Sequence, residues 1–351
     1  MFRMLRHGRA RLAMPSYGGW LEFRFFFALC GREESKMFYS RFSCRMVAAA
    51  IVSAAALGGV AGANLARADI FVANNTSGTV GEYSNSGATI NASFATGLGH
   101  TTGLAVSGSH LFVGALQSVL SASIDEYSTS GTTVASPLLG SLRGDMPLAI
   151  SGQNLFYGES SSSAIGEYNL ADSTNNASFI SGLDGGPYAL AVSGSDIFVS
   201  DMYNGDFAIG EYATSGSVVN PDLITLTDSP FGIAVSGGDI FVSNGADNSA
   251  TGSGSISEYT TSGQLVNASL ITGLNEPYGL AVSGSDIFVA NHGTGTIGEY
   301  TTSGSTVDAS LVTGLSGPFG IVVTPAPASL AIMGMASVGA LLFGRRRIMA
   351  K

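Results

Sequence analysis

Cysteine is almost absent from this chain of 351 residues, which contains only Cys30 and Cys44. Everything after residue 44 can form no disulfide, so the stability of that part has to come from a packed core. Basic residues are equally scarce, because Arg143 is the only one between positions 69 and 344, where there are 22 acidic residues. Phosphate binding requires Lys and Arg, which excludes a nucleic-acid-binding surface there.

Long helical periodicity is also absent between residues 69 and 323. That region contains six copies of one unit, each with a strand-like run around a phenylalanine, a Glu-Tyr pair and a second apolar run. The phenylalanines, 41 to 47 residues apart, are Phe71, Phe112, Phe156, Phe198, Phe241 and Phe288. The pairs end in Tyr83, Tyr127, Tyr168, Tyr212, Tyr259 and Tyr300. A period in the low forties built from β-rich runs predicts the four-stranded blades of a β-propeller.

The two ends of the repeat region complete each other. The region begins with a second strand, residues 70–72, and ends with a first strand, residues 319–323. If the C-terminal strand completes the first blade, the ring closes and no sheet edge is left open between blades. We therefore predict an all-β fold, a six-bladed β-propeller over residues 69–323 closed by the C-terminal strand. An open solenoid is the alternative.

The N-terminal segment predicts export. Residues 37–68 place an apolar, alanine-rich run behind Arg41 and Arg45 and end in Ala66-Arg67-Ala68. This order of basic, apolar and small residues is typical of a signal peptide cleaved after Ala68, and a permanent membrane anchor is the alternative. Residues 1–36 precede Met37, one of two candidate translation starts, and are predicted to be an artefact of the assigned gene start or an unusually long leader.

The C-terminal segment, residues 324–351, has three parts. A short motif with Pro325, Pro327, Ala328 and Ser329 leads into an apolar run that ends at Gly344. The 17 residues from 328 to 344 would reach about 25 Å as a helix, near the lower limit for crossing a bilayer. The basic residues that follow, Arg345, Arg346 and Arg347, would stay on the cytoplasmic side of such a transmembrane helix.

These features resemble two known families. The repeat, with its Phe-Val-Ala-Asn, Glu-Tyr and Gly-Leu-Ala-Val signatures, resembles the NHL-type propeller repeat. The tail resembles a PEP-CTERM (ice-binding protein C-terminal) sorting signal, although Ala326 stands where that family has Glu. The second resemblance implies a Gram-negative bacterium that makes extracellular polysaccharide, an exosortase-type processing enzyme as partner, and delivery to the cell surface or extracellular matrix. A tail that remains as a simple anchor is the alternative.

Polar residues at the ends of the second strands predict a ligand face. The loops that follow these strands leave a blade on the same side as the interblade loops, opposite the tight Ser-Gly turns. The loops after the second strands are predicted to supply Asn74, Glu159, Asp201, Asn244 and Asn291, with Ala115 in the remaining unit. The interblade loops add His100, Asp145, Asp184, Asp228 and Glu276, and His292 follows Asn291.

Two kinds of chemistry are open to this face. Oxygen ligands from Glu159, Asp201 and Asn244 could bind Ca²⁺, although Asn and Asp also end strands because they suit turns. His292 and His100 could act as acid or base, or be isolated polar loop residues. The resemblance to gluconolactonase-like and virginiamycin-lyase-like propellers, which use a metal or histidine at this face, implies the enzymatic alternative.

The leading functional hypothesis is a non-catalytic, exported binding or scaffolding module for matrix components such as exopolysaccharide. No Ser-His-Asp arrangement stands out in the sequence. The glutamate of the Glu-Tyr pair recurs in all six units, whereas a catalytic site uses one residue for one role, so the pairs are interpreted as strand packing. A hydrolase or lyase of the NHL type with a metal site on the ligand face is the alternative.

Overall fold

The computed structural model describes residues 68–118, 121–203, 206–245 and 254–324, together with the backbone of three short strands near the N-terminus. The chain divides into two compact units, Met1–Asn64 and Leu65–Lys351. In the first unit, β1 (Arg3–Leu5), β2 (Arg9–Ala13) and β3 (Trp20–Arg24) form one antiparallel sheet in that order. Most of the predicted signal peptide, residues 37–67, and the predicted sorting tail beyond residue 324 lie outside the described residues. Within the described ranges, no helix has the length and apolar character needed to cross a bilayer.

In the second unit, the described residues form six antiparallel sheets of four strands each, which are the blades of a propeller. Each blade is given from its innermost to its outermost strand. Blade 1 consists of β27 (Pro318–Val323), β4 (Asp69–Asn74), β5 (Thr79–Ser84) and β6 (Thr89–Ala95). Blade 2 consists of β7 (His100–Ser107), β8 (His110–Ser118), β9 (Ser121–Ser128) and β10 (Thr133–Leu142). Blade 3 consists of β11 (Leu148–Ser151), β12 (Asn154–Glu159), β13 (Ala164–Asn169) and β14 (Asn175–Ser181).

The other three blades repeat this order. Blade 4 consists of β15 (Gly186–Ser193), β16 (Asp196–Tyr203), β17 (Asp206–Ala213) and β18 (Val218–Leu226). Blade 5 consists of β19 (Ser229–Ser236), β20 (Asp239–Gly245), β21 (Gly254–Thr260) and β22 (Leu265–Leu274). Blade 6 consists of β23 (Pro277–Ser283), β24 (Asp286–Asn291), β25 (Thr296–Thr301) and β26 (Thr306–Val312).

The ring closes as the sequence predicts. Strand β27, at the C-terminal end, pairs antiparallel with β4, with Ile321 opposite Val72 and Val323 opposite Ile70. The inner strands β7, β11, β15, β19, β23 and β27 each contact the next around a complete circle. The six-bladed propeller closed by its C-terminal strand is confirmed, and the open solenoid is excluded.

The core lies between the blades. Phe71 of β4 packs against Leu111 of blade 2, while Val72, the next residue, packs against Phe288 of blade 6. Successive side chains of a strand point to opposite faces of its sheet. Because a neighbouring blade covers each face, the second strands are apolar at consecutive positions instead of alternating.

The Glu-Tyr pairs pack as predicted. Five of the six tyrosines are buried and Tyr259 is half-buried, whereas the glutamate beside each remains half-buried. The recurrent Asn-Ala-Ser triplets of the outer strands are also structural. In the first of them the Asn91 side-chain oxygen accepts a hydrogen bond of 3.1 Å from the backbone N–H of Ser93. These repeated residues therefore have structural roles in the blades. A functional site is expected at positions whose residues differ between blades.

Candidate functional site in the central channel

The start of each inner strand faces the middle of the ring. Four blades share a proline, an aromatic residue and a small residue there: Pro187-Tyr188-Ala189, Pro230-Phe231-Gly232, Pro277-Tyr278-Gly279 and Pro318-Phe319-Gly320. Blade 2 has Thr101-Thr102-Gly103 at the same place, and blade 3 has Asp145-Met146-Pro147. The six-fold repeat is therefore broken at the channel, as a binding site for one ligand requires.

The glycines of these triplets allow the inner strands to come close together. A Cβ added to Gly279 would collide with the backbone carbonyl oxygen of Phe319 in the next blade, and one added to Gly320 would collide with that of Thr102. Only a residue without a side chain fits such an approach of two backbones. The narrow ring that results brings the preceding aromatic residues of neighbouring blades into contact.

A cavity with about 510 Å³ of space free of protein atoms, part of it open to solvent, occupies the channel. One aliphatic residue from each blade contributes to its wall, and these are Leu104, Leu148, Leu190, Ile233, Leu280 and Ile321. Tyr188, Phe231 and Phe319 line it as well, together with Thr102 and Asp145. The accessible wall is polar and apolar in nearly equal parts. Apolar side chains with a few polar groups between them are the usual lining of a small-ligand site.

Four half-buried aromatic side chains form an arc across blades 4, 5, 6 and 1, called here the aromatic arc: Tyr188, Phe231, Tyr278 and Phe319. The rings of Tyr188 and Phe231 meet edge to face at a centroid distance of 6.4 Å, and those of Phe231 and Tyr278 at 4.4 Å. Tyr278 and Phe319 are stacked at 4.7 Å with an interplanar angle of 22°. Such contacts hold the rings in fixed orientations.

Among the described residues of the propeller, Asp145 is the only acidic or basic one that lines the cavity. The backbone N–H of Asp145 donates a hydrogen bond of 2.9 Å to the Ser160 hydroxyl, which fixes the interblade loop. Burial raises the pKa of the Asp145 carboxyl group, and the nearby His100 partly opposes that rise. Burial also raises the pKa of Tyr188 and of Tyr278, and the negative charge of Asp145 adds to both shifts. Asp145 therefore lies close enough to these two residues of the aromatic arc to act on them electrostatically.

A histidine–carboxylate pair lies beside the aromatic arc. The Nδ1 atom of His292 is 3.0 Å from the Oε2 atom of Glu276, and the backbone N–H of His292 donates to the Glu276 carbonyl oxygen at 2.9 Å. The imidazole ring also meets the Tyr278 ring edge to face at 4.8 Å. The ligand-face histidine His292 is thus joined to the interblade residue Glu276. His100, by contrast, is exposed and contacts the Asn75 side chain at 3.2 Å.

The predicted ligand residues of the second strands lie in strands and not in loops. Asn74 is the last residue of β4 and is paired with Thr79, and Asn291 is likewise paired with Thr296 at the end of β24. Asp201 and Asn244 lie within β16 and β20, and Glu159 ends β12. The placement in loops was wrong because the hydrogen-bonded ladder continues to these residues.

The side chains of Glu159, Asp201 and Asn244 each contact different neighbouring residues. Glu159 interacts with Arg143 and Ser162, although burial raises its pKa overall. An Asp201 oxygen accepts a hydrogen bond of 3.0 Å from the backbone N–H of Gly185, and the Asn244 amide donates to the Ser257 hydroxyl at 3.0 Å. Asn74, Asp201 and Asn291 each keep one buried side-chain oxygen without a hydrogen-bond partner.

The calcium prediction for Glu159, Asp201 and Asn244 rests on residues from three different blades, 3, 4 and 5. Across the described part of the chain, no group of three or more His, Cys, Asp or Glu residues is arranged to hold a metal ion. Calcium binding therefore stays a prediction for titration.

Sequence reasoning missed the aromatic arc. The Pro-aromatic pairs are visible at the start of four apolar runs, but they look like strand starts until the ring brings them together. The departure of blades 2 and 3 from that pattern was the available signal. Asp145 was predicted as an interblade residue of the ligand face, without an indication that it would line the cavity.

The sequence matches no family model and no curated protein. Among solved structures, a chain in the crystal structure of a nidogen/laminin complex is similar with a TM-score of 0.60 at 13% identity, covering 74% of this chain and 100% of that one. Kuenenia stuttgartiensis hydrazine synthase is similar with a TM-score of 0.50 at 16% identity, covering 66% of this chain and 72% of that one. At these identities the likeness extends to the fold alone, and the chain is a six-bladed β-propeller.

Proposed function

We propose that this protein is an exported, non-catalytic binding module that recognises a matrix component, with extracellular polysaccharide as the leading ligand. The observation that carries the proposal is the half-buried aromatic arc beside an open cavity of mixed polar and apolar surface. Sugar rings present faces of C–H groups that pack on aromatic rings, and rigid aromatic anchors give contact area at little entropic cost. The nidogen propeller, which has this architecture, is found in a complex with laminin.

The route to the surface is a proposal from the sequence. Residues 37–68 would direct export through the inner membrane of a Gram-negative bacterium, and the NHL-type propeller would then be sorted through the PEP-CTERM-like tail at 324–351. Deleting the host's exosortase gene should leave the tail uncut and shift the protein from the surface fraction to the inner membrane. An unchanged mass and location in the deletion strain would refute sorting by that enzyme.

Retention on exopolysaccharide isolated from the host tests the binding function. Phe231→Ala and Phe319→Ala each remove a ring of the aromatic arc, and we expect each to weaken retention by about tenfold, since a buried aromatic contact contributes about 1.4 kcal/mol or more. Phe207→Ala is the matched control, because Phe207 is half-buried on β17, outside the cavity wall. Equal retention of all three variants would refute binding at the channel.

The His292–Glu276 pair favours a second candidate, a lactone hydrolase or lyase. A carboxylate at 3.0 Å can orient an imidazole as a general base. His292→Ala should then abolish turnover of a lactone panel. His110→Ala is the control, because His110 forms a comparable 2.7 Å pair with Glu126 but starts β8 at a hairpin turn. No turnover by the unmodified protein would remove this candidate and leave the binding proposal standing.

A further inference from the structure

The described wall of the channel cavity contains one acidic side chain and no basic one. The acidic side chain is the carboxylate of Asp145. Arg143, the only Lys or Arg among the described residues of the propeller, interacts with Glu159. Partial burial of the Asp145 carboxylate is costly, and the exposed His100 offsets only part of that cost. A ligand that brings a positive charge into the cavity would reduce the cost further. An anionic ligand would be repelled by the same group.

The residues around Asp145 favour an organic cation over calcium. Calcium requires six to eight oxygen ligands, whereas the wall side chains offer only the Asp145 carboxylate and the hydroxyls of Thr102 and Tyr188, and the Thr102 hydroxyl already accepts a hydrogen bond of 3.1 Å from the backbone N–H of Met146. Aromatic faces carry a negative quadrupole that attracts organic cations, and this attraction strengthens when water is excluded. Tyr188, Phe231 and Phe319 line the same cavity as Asp145, so their rings can act on one cation together with its carboxylate.

We propose that the channel recognises an organic ammonium group, held between the Asp145 carboxylate and the aromatic arc. The inference rests on the proposed binding function and specifies its ligand, since an amino sugar of a partly deacetylated polysaccharide carries such a group. A methylated ammonium such as choline carries the same chemistry from another source. The excess of acidic residues, 22 against one base between residues 69 and 344, would concentrate such cations near the protein.

Calorimetric titration of the full chain with three probes tests this inference. The probes are a glucosamine hexamer, the fully N-acetylated hexamer and choline. We expect the glucosamine hexamer to bind at least about tenfold more tightly than its acetylated form, because acetylation removes the charge and leaves Asp145 unpaired. Tighter binding of choline than of the glucosamine hexamer would support recognition of an ammonium group and identify a methylated ammonium compound, not an amino sugar, as the ligand.

Asp145→Asn separates a specific site from general attraction to an acidic surface. We expect this variant to lose about tenfold in affinity for the glucosamine hexamer. Asp222→Asn makes the same change in charge at an exposed residue of the outer strand β18 and should bind as the unmodified protein does. Equal losses in both variants would overturn the inference, and thermal unfolding of each verifies that it is folded.

The failures of the two proposals can be told apart. If the acetylated hexamer binds as tightly as the glucosamine hexamer and Asp145→Asn has no effect, the ammonium inference is wrong while the binding function stands. If all three probes and the isolated exopolysaccharide fail to bind the folded full chain, both proposals are wrong.

Discussion

Replacing Ile321 by alanine measures how strongly the last strand closes the ring. Ile321 belongs to β27 but packs in one cluster with Ile70 and Val72 of β4 and with Phe288 of blade 6. Its exposed fraction is 7%, equal to that of Leu280, which holds the same position in blade 6, where all four strands are continuous in sequence. If closure is complete, the two side chains are buried in equivalent surroundings and should contribute equally to stability.

The expected magnitude follows from this burial. Truncating a buried Ile or Leu to Ala costs about 2–5 kcal/mol through lost transfer free energy and the cavity left behind. For a domain of this size, about 3 kcal/mol lowers the melting temperature by roughly 6–12 °C. Val307→Ala provides the baseline, because Val307 is 54% exposed on the outer strand β26 and should change the free energy of unfolding by less than about 0.5 kcal/mol.

Chemical and thermal unfolding followed by circular dichroism would measure all three variants. We expect Ile321→Ala and Leu280→Ala to lose similar stability in a single cooperative transition. If Ile321→Ala behaves like Val307→Ala while Leu280→Ala is strongly destabilised, β27 is frayed in solution. The closure of the ring, and with it the shape of the channel, would then be refuted.

Three further predictions concern the inner ring, its carboxylate and calcium. Gly279→Ala should destabilise the protein by about 1–3 kcal/mol, because the added methyl group collides with the Phe319 carbonyl oxygen. Gly238→Ala is the control, because open space surrounds Gly238 and its melting temperature should not change. Equal melting temperatures for the two variants would contradict the close approach of the inner strands. Burial raises the folded-state pKa of Asp145 above its unfolded value of 3.8, so ionised Asp145 lowers stability as the pH rises through the interval between the two values. Asp145→Asn should therefore melt higher than the unmodified protein at neutral pH, with the difference vanishing in acid; a lower melting temperature at neutral pH would show that the carboxylate is stabilising. Calcium, added and then chelated, tests the calcium prediction for Glu159, Asp201 and Asn244: a metal site should give a saturable rise in the melting temperature that the chelator reverses, and an unchanged melting temperature would contradict it.

The fold could be predicted because all six units contain the same strand and turn signals. Phe71 and its five counterparts mark the second strands, and the phase difference between residues 70–72 and 319–323 indicates closure. These signals are local, since a strand is recognised from a few consecutive side chains and a hairpin from the turn that joins two strands. Burial of both faces by neighbouring blades explains why the second strands read as continuous apolar runs.

The predicted ligand face stays a prediction, and the sequence did not indicate the aromatic arc beside it. Placing Glu276 and His292 on one face brought two residues together that do form a pair. The backbone at the ends of the second strands, as at Asn74, is still paired in the ladder, and strand and turn propensities do not distinguish such a position from a loop.

The sequence by itself determined the number of blades, their four-stranded form and the strand that closes the ring. It also determined the acidic character of the propeller and the absence of disulfides after residue 44. Only the tertiary structure decided that Asp145, Tyr188 and Tyr278, from three different blades, share one environment. The reason is that these residues are far apart along the chain, and the tight approach of the inner strands, which Gly279 and its counterparts permit, brings them together.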